Sequence, residues 1–193
     1  CFSRRELLKG SLAVAGGALF SSGCASQREG AARIAPAPGR VIGANDRIRV
    51  AVAGVNGRGG SHVEAFTNMP NVQVACICDP DSRLFASRIK VVEERGKNTP
   101  KVVQDIRRVL EDKDIDVVSI ATPNHWHSLM TIWACQAGKD VYVEKPMSHN
   151  IHEGRIAVET ARRYGRIVQH GTQSRSDMGF AEVIEVIRSG KLG

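Results

Sequence analysis

The segment that most constrains the fold is residues 48–63, where a short apolar run passes through a cluster of glycines into a helical pattern. Residues 48–53 mix β-branched residues with alanine, which is typical of a strand covered on both faces of a parallel sheet. Gly54 and Gly59 match the first and third glycines of the dinucleotide fingerprint G-x-G-x-x-G, whereas Asn56 takes the middle position. The segment therefore predicts a strand, a tight turn and a helix that together hold a dinucleotide.

Each residue of this turn has an expected task. Gly54 permits the sharp turn, and Gly59 allows the helix to pack closely on the strand. The amides near Gly57 and Arg58 are expected to face a pyrophosphate at the helix N-terminus. Asparagine tolerates left-handed backbone, so we expect the turn to form with Asn56. Glycine turns also occur without a ligand, and this alternative stays open at this point.

An acidic residue follows the second predicted strand, residues 71–78. Asp79 comes 25 residues after Gly54, close to the spacing at which a carboxylate binds the ribose hydroxyls of a dinucleotide. Such a carboxylate repels a 2′-phosphate, which favours NAD over NADP, although Arg83 keeps NADP as an alternative. Asp81 is predicted to be the N-cap of the following helix.

Strand and helix patterns alternate along the rest of the chain. Further strands are predicted at residues 101–103, 115–121, 140–144 and 166–169, and helices at residues 82–95, 106–112, 126–137, 153–164 and 180–187. This alternation predicts an α/β fold with a doubly wound parallel sheet of the Rossmann type. Ligands of such sheets bind beyond the carboxyl ends of the strands, so the residues after each strand are candidates for a site.

The residues after strand 115–121 include Thr122, Pro123, Asn124 and His127, which we predict to contact the cofactor. His125 and His127 have an H-x-H spacing that also suggests a metal. No third ligand lies nearby in the sequence, whereas metal sites need three or four ligands, so no metal site is predicted.

The segment Glu144-Lys145-Pro146 follows strand 140–144. Together with the glycine turn, Asp79 and the segment 121–127, it resembles the Gfo/Idh/MocA family of glucose–fructose oxidoreductases and inositol dehydrogenases. The resemblance implies NAD-dependent hydride transfer to or from a hydroxyl of a sugar or cyclitol. It also implies that Lys145 is the catalytic proton relay beside the nicotinamide and that Glu144 hydrogen-bonds near the cofactor.

The same resemblance implies a second, C-terminal α/β domain that binds substrate and mediates homo-oligomers. We therefore expect residues 46–170 to form the dinucleotide-binding domain, and residues 171–193 to begin the crossover to a substrate domain that this fragment lacks. Gln173 and Arg175 in that crossover are candidate contacts to cofactor or substrate. Alternative functions are an NAD-dependent glycoside hydrolase that acts by transient oxidation, and a nucleotide-binding fragment without catalysis.

The N-terminal region predicts export. Arg4 and Arg5 precede a weakly apolar run, so residues 1–24 resemble a twin-arginine signal segment for the periplasm, and residues 25–45 are predicted to be a linker. Cys24 is a candidate lipid anchor, which would be the only membrane attachment.

The net charge of +7 does not predict nucleic-acid binding. Residues 1–40 hold six basic and two acidic residues and so carry much of this charge. No aromatic residues alternate with lysine or arginine to form a stacking platform.

Five cysteines do not form a disulfide framework by their spacing. Cys76 and Cys78 lie two apart on a predicted strand and therefore face the same side, which indicates core packing rather than a metal site.

Overall fold

The computed structural model describes residues 46–191, so the predicted signal segment and linker lie outside the described residues. The strands are β1 (Ile48–Ala53), β2 (Val72–Cys78), β3 (Lys101–Val103), β4 (Val117–Ile120), β5 (Asp140–Glu144) and β6 (Val168–Gly171). The helices are α1 (Arg58–Thr67), α2 (Phe85–Gly96), α3 (Ile106–Glu111), α4 (His127–Gln136), α5 (Ile151–Tyr164) and α6 (Met178–Arg188). Within this part of the chain, none of the helices combines the length and the apolarity needed to cross a membrane.

All six strands form one parallel sheet in the order β3-β2-β1-β4-β5-β6. The order reverses beside β1, because the chain builds outward through β2 and β3 and then returns to the other side of β1. This is the doubly wound Rossmann topology that the alternation of strands and helices predicts. Because the strands are parallel, their carboxyl ends meet at one edge, where the glycine turn also lies.

Each face of the sheet has its own apolar core. One cluster contains Val50, Val52, Val63 and Val92 and lies between the sheet and helices α1 and α2. The other includes the alternate residues of β1 together with side chains of α3 and α4. Successive strand residues point to opposite faces, so the apolar run of β1 supplies both clusters.

The last strand begins two residues later than residues 166–169, its predicted position. Gly165 takes a left-handed conformation at the end of α5, and the Arg166 amide donates to the carbonyl of Ala161 at 2.9 Å. Arg166 therefore belongs to the helix end rather than to the ladder. The Ile167 amide donates to the Asp140 carboxylate, and the ladder starts only at Val168.

The cysteines of the sheet and of α4 pack in the core as free thiols, as the spacing of Cys76 and Cys78 predicts. Burial raises the pKa of Cys76 to about 11, of Cys78 to about 12 and of Cys135 to about 11. These groups are therefore protonated at neutral pH, and a thiol is neither a metal ligand nor a strong nucleophile.

Candidate cofactor-binding site

The glycine turn between β1 and α1 has no room for side chains at two positions. Gly54 has a φ of +79°, and a Cβ on it would lie 2.8 Å from the carbonyl oxygen of Ala121. A Cβ on Gly59 would overlap the carbonyl oxygen of Gly54. The packing tasks predicted for these glycines are thus met, because α1 begins directly against the end of β1.

Asn56 does not use left-handed backbone, so the reason given for its tolerance in the turn is wrong. In the described part of the chain, the residues other than glycine with positive φ are Asn71 and Lys97. The turn is held instead from helix α2. Arg88 donates from Nε to the Val55 carbonyl at 3.0 Å and from Nη2 to the Asn56 carbonyl at 3.1 Å.

A cavity of about 720 Å³ opens at the carboxyl ends of β1, β2 and β4. Six of the residues predicted to bind the cofactor line it: Gly54, Asn56, Gly57, Asp79, Thr122 and Pro123. The other predicted residues are not part of its wall: Arg58, Gly59, Asn124, His127, Glu144 and Lys145. The cavity therefore joins the glycine turn to the acid after β2 and to the loop after β4.

Two parts of the cavity wall were missed in the sequence. The wall includes Trp126, directly before α4, together with Met130 and Trp133 of α4, and their i, i+4, i+7 spacing marks one face of a helix. Residues 104–107 line it from the loop after β3 and the first turn of α3. The sequence contains a signal for both parts, because each follows a strand, and the residues after every strand of such a sheet are candidates for a ligand site.

Asp79 is buried at the cavity and anchors the glycine turn. Its Oδ2 accepts the Val55 amide at 2.8 Å, and its Oδ1 accepts the Asp81 amide at 2.9 Å. A carboxylate has about four acceptor positions, so two remain for ribose hydroxyls. Arg83 is the residue because of which NADP stayed an alternative cofactor. It donates from Nε and from Nη2 to the carboxylate of Asp81, each at 2.8 Å.

Glu144 forms a second polar cluster with α1 and with the segment after β6. Its Oε1 accepts from Nε of Arg58 at 3.1 Å, from Nε2 of His62 at 3.0 Å and from the side-chain amide of Gln173. Its Oε2 accepts the amide of Lys145 at 3.3 Å. The Arg58 side chain thus turns to Glu144, and Glu144 lies in this cluster rather than on the cavity wall.

The protonation states of this cluster follow from burial and hydrogen bonding. Burial acts to raise the pKa of Glu144, but hydrogen bonds from Arg58, His62 and Gln173 outweigh it, and the pKa is lowered. Burial lowers the pKa of His62, although its hydrogen bond to Glu144 opposes this. A carboxylate only accepts, so neutral His62 carries its proton on Nε2, and Nδ1 accepts from the Ser119 hydroxyl at 2.9 Å.

A row of hydrogen bonds joins Ser119 to His62 and His62 to Glu144, which are the residue types of a hydrolytic triad. Ser119 is 0% exposed, however, because it lies within β4 under helix α1. No substrate carbonyl can reach its hydroxyl, so this row is a buried polar network that links α1 to β4 and β5.

The two histidines after β4 have different environments. His127 is 1% exposed, and its ring nitrogens lie 2.8 Å from the Thr122 carbonyl oxygen and 2.6 Å from that of Pro146. It ties together the loops after β4 and β5, so its ring nitrogens are not available to a cofactor or metal. His125 is exposed. Residues 46–191 contain no group of three or more side chains able to hold a metal ion.

The cavity fits a dinucleotide. Its volume lies in the range typical of small-molecule sites, and Gly54, Asn56 and Gly57 form its wall where a ligand phosphate would need backbone amides. Asp79 lines the cavity at the end of β2, next to the glycine turn, where it can bind a ribose, and the apolar face of α4 borders the remaining space.

Comparison with known proteins agrees with this arrangement. The model of the Gfo/Idh/MocA family, described as an oxidoreductase family with an NAD-binding Rossmann fold, matches residues 48–172. The myo-inositol 2-dehydrogenase of Lactobacillus plantarum has a TM-score of 0.65 at 23% identity, over 77% of this chain and 43% of that one. GenD2 from gentamicin A biosynthesis, solved in complex with NAD, has a TM-score of 0.58 at 27% identity, over 70% of this chain and 36% of that one.

A curated relative matches the whole length of the chain. It is named glycosyl hydrolase family 109 protein 2, from Shewanella sp. (strain ANA-3), and is 31% identical over 204 residues. The match covers 100% of this chain and 44% of the relative, so the chain spans less than half of that protein. The chain belongs to the Gfo/Idh/MocA family of oxidoreductases, whose NAD-binding Rossmann fold makes NAD its cofactor.

Proposed function

We propose that this chain is the cofactor-binding part of an enzyme that transfers a hydride between NAD and a hydroxyl-bearing carbon of a sugar or cyclitol. The observation that carries the proposal is the position of Lys145 relative to the cavity. Ile120 of β4 pairs with Val143 of β5. Thr122 follows Ile120 by two residues and Lys145 follows Val143 by two, so the register puts Lys145 level with Thr122, which lines the cavity. Neighbouring strands lie about 4.8 Å apart, so this register supports a position of Lys145 next to the cavity, although Lys145 is not part of its wall.

The residues around Lys145 support a role in proton transfer. Glu144 accepts the Lys145 amide, and His127 holds the loops on either side of the gap between β4 and β5. Lys145 is exposed, so its amine is accessible to a substrate. Bound NAD would supply the acceptor for the hydride that leaves the hydroxyl-bearing carbon, and Lys145, acting as a neutral amine, would take the hydroxyl proton as the carbonyl forms.

The second candidate is glycoside hydrolysis through transient oxidation. It is favoured by the glycosyl hydrolase family 109 relatives, which match 98–100% of this chain in most cases. The same NAD site and Lys145 would serve both reactions. The two differ in whether the hydride returns to the sugar before the product leaves.

The test uses the whole protein, loaded with NAD. Free sugars and cyclitols are supplied with added NAD while absorbance of NADH is followed, and aryl glycosides are supplied in parallel while the released phenol is measured. Steady NADH formation supports the dehydrogenase. Glycoside cleavage without net NADH supports the hydrolase. Inactivity on both substrate classes by protein that binds NAD would contradict the proposal.

We further infer that the protein is exported to the periplasm through its twin-arginine segment and that it assembles as a homo-oligomer through a domain following this chain. Lipid attachment at Cys24 would then anchor it to the membrane. Fractionation of cells expressing the protein with Arg4 and Arg5 intact, or both changed to lysine, tests the export route. Periplasmic protein in equal amounts from both versions would contradict it.

A further inference from the structure

We propose that Arg88 is a positioning residue for NAD, because it aims two backbone amides of the glycine turn at the cofactor pyrophosphate. This rests on NAD binding in the cavity, as the proposed function requires. Arg88 lies on α2, outside the fingerprint. Nothing in the spacing of the glycines points to it.

The argument starts from the two carbonyl groups that Arg88 holds. Its guanidinium donates to the carbonyl oxygens of Val55 and Asn56 at 3.0 Å and 3.1 Å. The Val55 carbonyl shares a peptide unit with the Asn56 amide, and the Asn56 carbonyl shares one with the Gly57 amide. Both units are trans, so each N–H points away from its carbonyl. Fixing the carbonyls toward Arg88 therefore directs the two amides to the opposite side.

That opposite side is the cavity. Asn56 and Gly57 both line it, whereas Arg88 does not. Within the described residues, neither amide has a protein acceptor, so both are available to an anionic ligand. Two convergent backbone amides at a helix N-terminus are the groups that bind a pyrophosphate.

Gly60 makes space for this interaction. A Cβ on Gly60 would lie 2.6 Å from both Cζ and Nη2 of Arg88, so a side chain there would displace the guanidinium. The dinucleotide fingerprint does not require a glycine at position 60, and this contact with Arg88 explains why Gly60 is one.

The experiment measures binding of NAD, ADP and adenosine to the full 193-residue chain by calorimetry. Arg88→Gln removes the guanidinium that donates to the Val55 and Asn56 carbonyls. We expect affinity for NAD and ADP to fall by roughly tenfold, the size expected for one charge-assisted hydrogen bond. Adenosine has no phosphate, so its affinity should not change. Arg95→Gln removes an exposed arginine from the last turn of the same helix and serves as the matched control.

Two further variants separate charge from geometry. Arg88→Lys keeps the positive charge but loses the planar fork that reaches two carbonyls, so it should restore only part of the affinity. Gly60→Ala should weaken NAD binding as Arg88→Gln does, and the double variant should be no weaker than either single one. The ¹H–¹⁵N signals of Asn56 and Gly57 should shift in both single variants.

The outcomes are distinct. NAD affinity that is unchanged in folded Arg88→Gln protein would overturn the inference and leave the proposed function intact. An equal loss for adenosine, or full recovery by Arg88→Lys, would also overturn it, because amide direction would then not be the cause. A wild-type chain that binds neither NAD nor ADP would remove both the inference and the proposed function.

Discussion

The carboxylate of Asp79 accepts a hydrogen bond from the backbone amide of Val55 at 2.8 Å, although the two residues are 24 positions apart in the chain. This contact joins the end of β2 to the glycine turn after β1. The acid that is placed to bind the ribose therefore also holds the loop placed to bind the pyrophosphate. Recognition of the two parts of the cofactor is coupled through one side chain.

Asp79→Ala should weaken NAD binding by at least roughly tenfold and reduce its advantage over NADP, because it removes a ribose acceptor and a negative charge. The free energy of unfolding should also fall, by about 1–3 kcal/mol, since the Val55 amide loses its buried acceptor. Titration with both nucleotides and urea unfolding measure these effects. Asp114→Ala, at an exposed position before β4, is the control, and unchanged affinity for both nucleotides would refute the ribose assignment.

Gly59→Ala should destabilise the fold by about 3 kcal/mol or more. The added methyl would overlap the Gly54 carbonyl oxygen, which belongs to the backbone and cannot move without separating α1 from β1. Gly57→Ala is the matched control, because its methyl would meet no atom within 4 Å. Thermal and urea unfolding of both variants compare them. Equal stability of the two would show that α1 can shift away from β1 at little cost.

The sequence predicted the sheet and the glycine turn because both depend on local patterns. The apolar run of β1 and the spacing of Gly54 and Gly59 are readable without tertiary structure. The contacts of Arg88 with the glycine turn, and those of Glu144 with α1 and Gln173, could not be predicted, since they join residues 29 to 86 positions apart whose meeting depends on how the elements pack. The sequence likewise shows that His127 follows β4, but it does not show that the ring lies between the Thr122 and Pro146 carbonyls.

Lys145→Met in the whole protein should abolish turnover while NAD affinity stays within about twofold, because the lysine is placed to handle the substrate proton and does not line the NAD cavity. The control is Lys113→Met, which removes an exposed lysine in the turn before β4. Steady-state kinetics on the substrate identified by the parallel assays, together with NAD titration, test the assignment. Normal turnover by Lys145→Met would remove this residue from the mechanism.

His62 should make stability depend on pH below neutrality. Burial lowers its pKa in the folded protein, so the unfolded chain binds the imidazole proton more tightly. Stability is then fully present above the unfolded pKa of about 6.5 and declines as the pH falls toward the lowered folded value, by at most about 1.4 kcal/mol per pH unit for one proton. Urea unfolding at a series of pH values between 5 and 8 measures this decline. His62→Gln should flatten it, whereas His125→Gln at an exposed site should not. If the slope is the same in all three proteins, His62 is not the group whose protonation opposes folding.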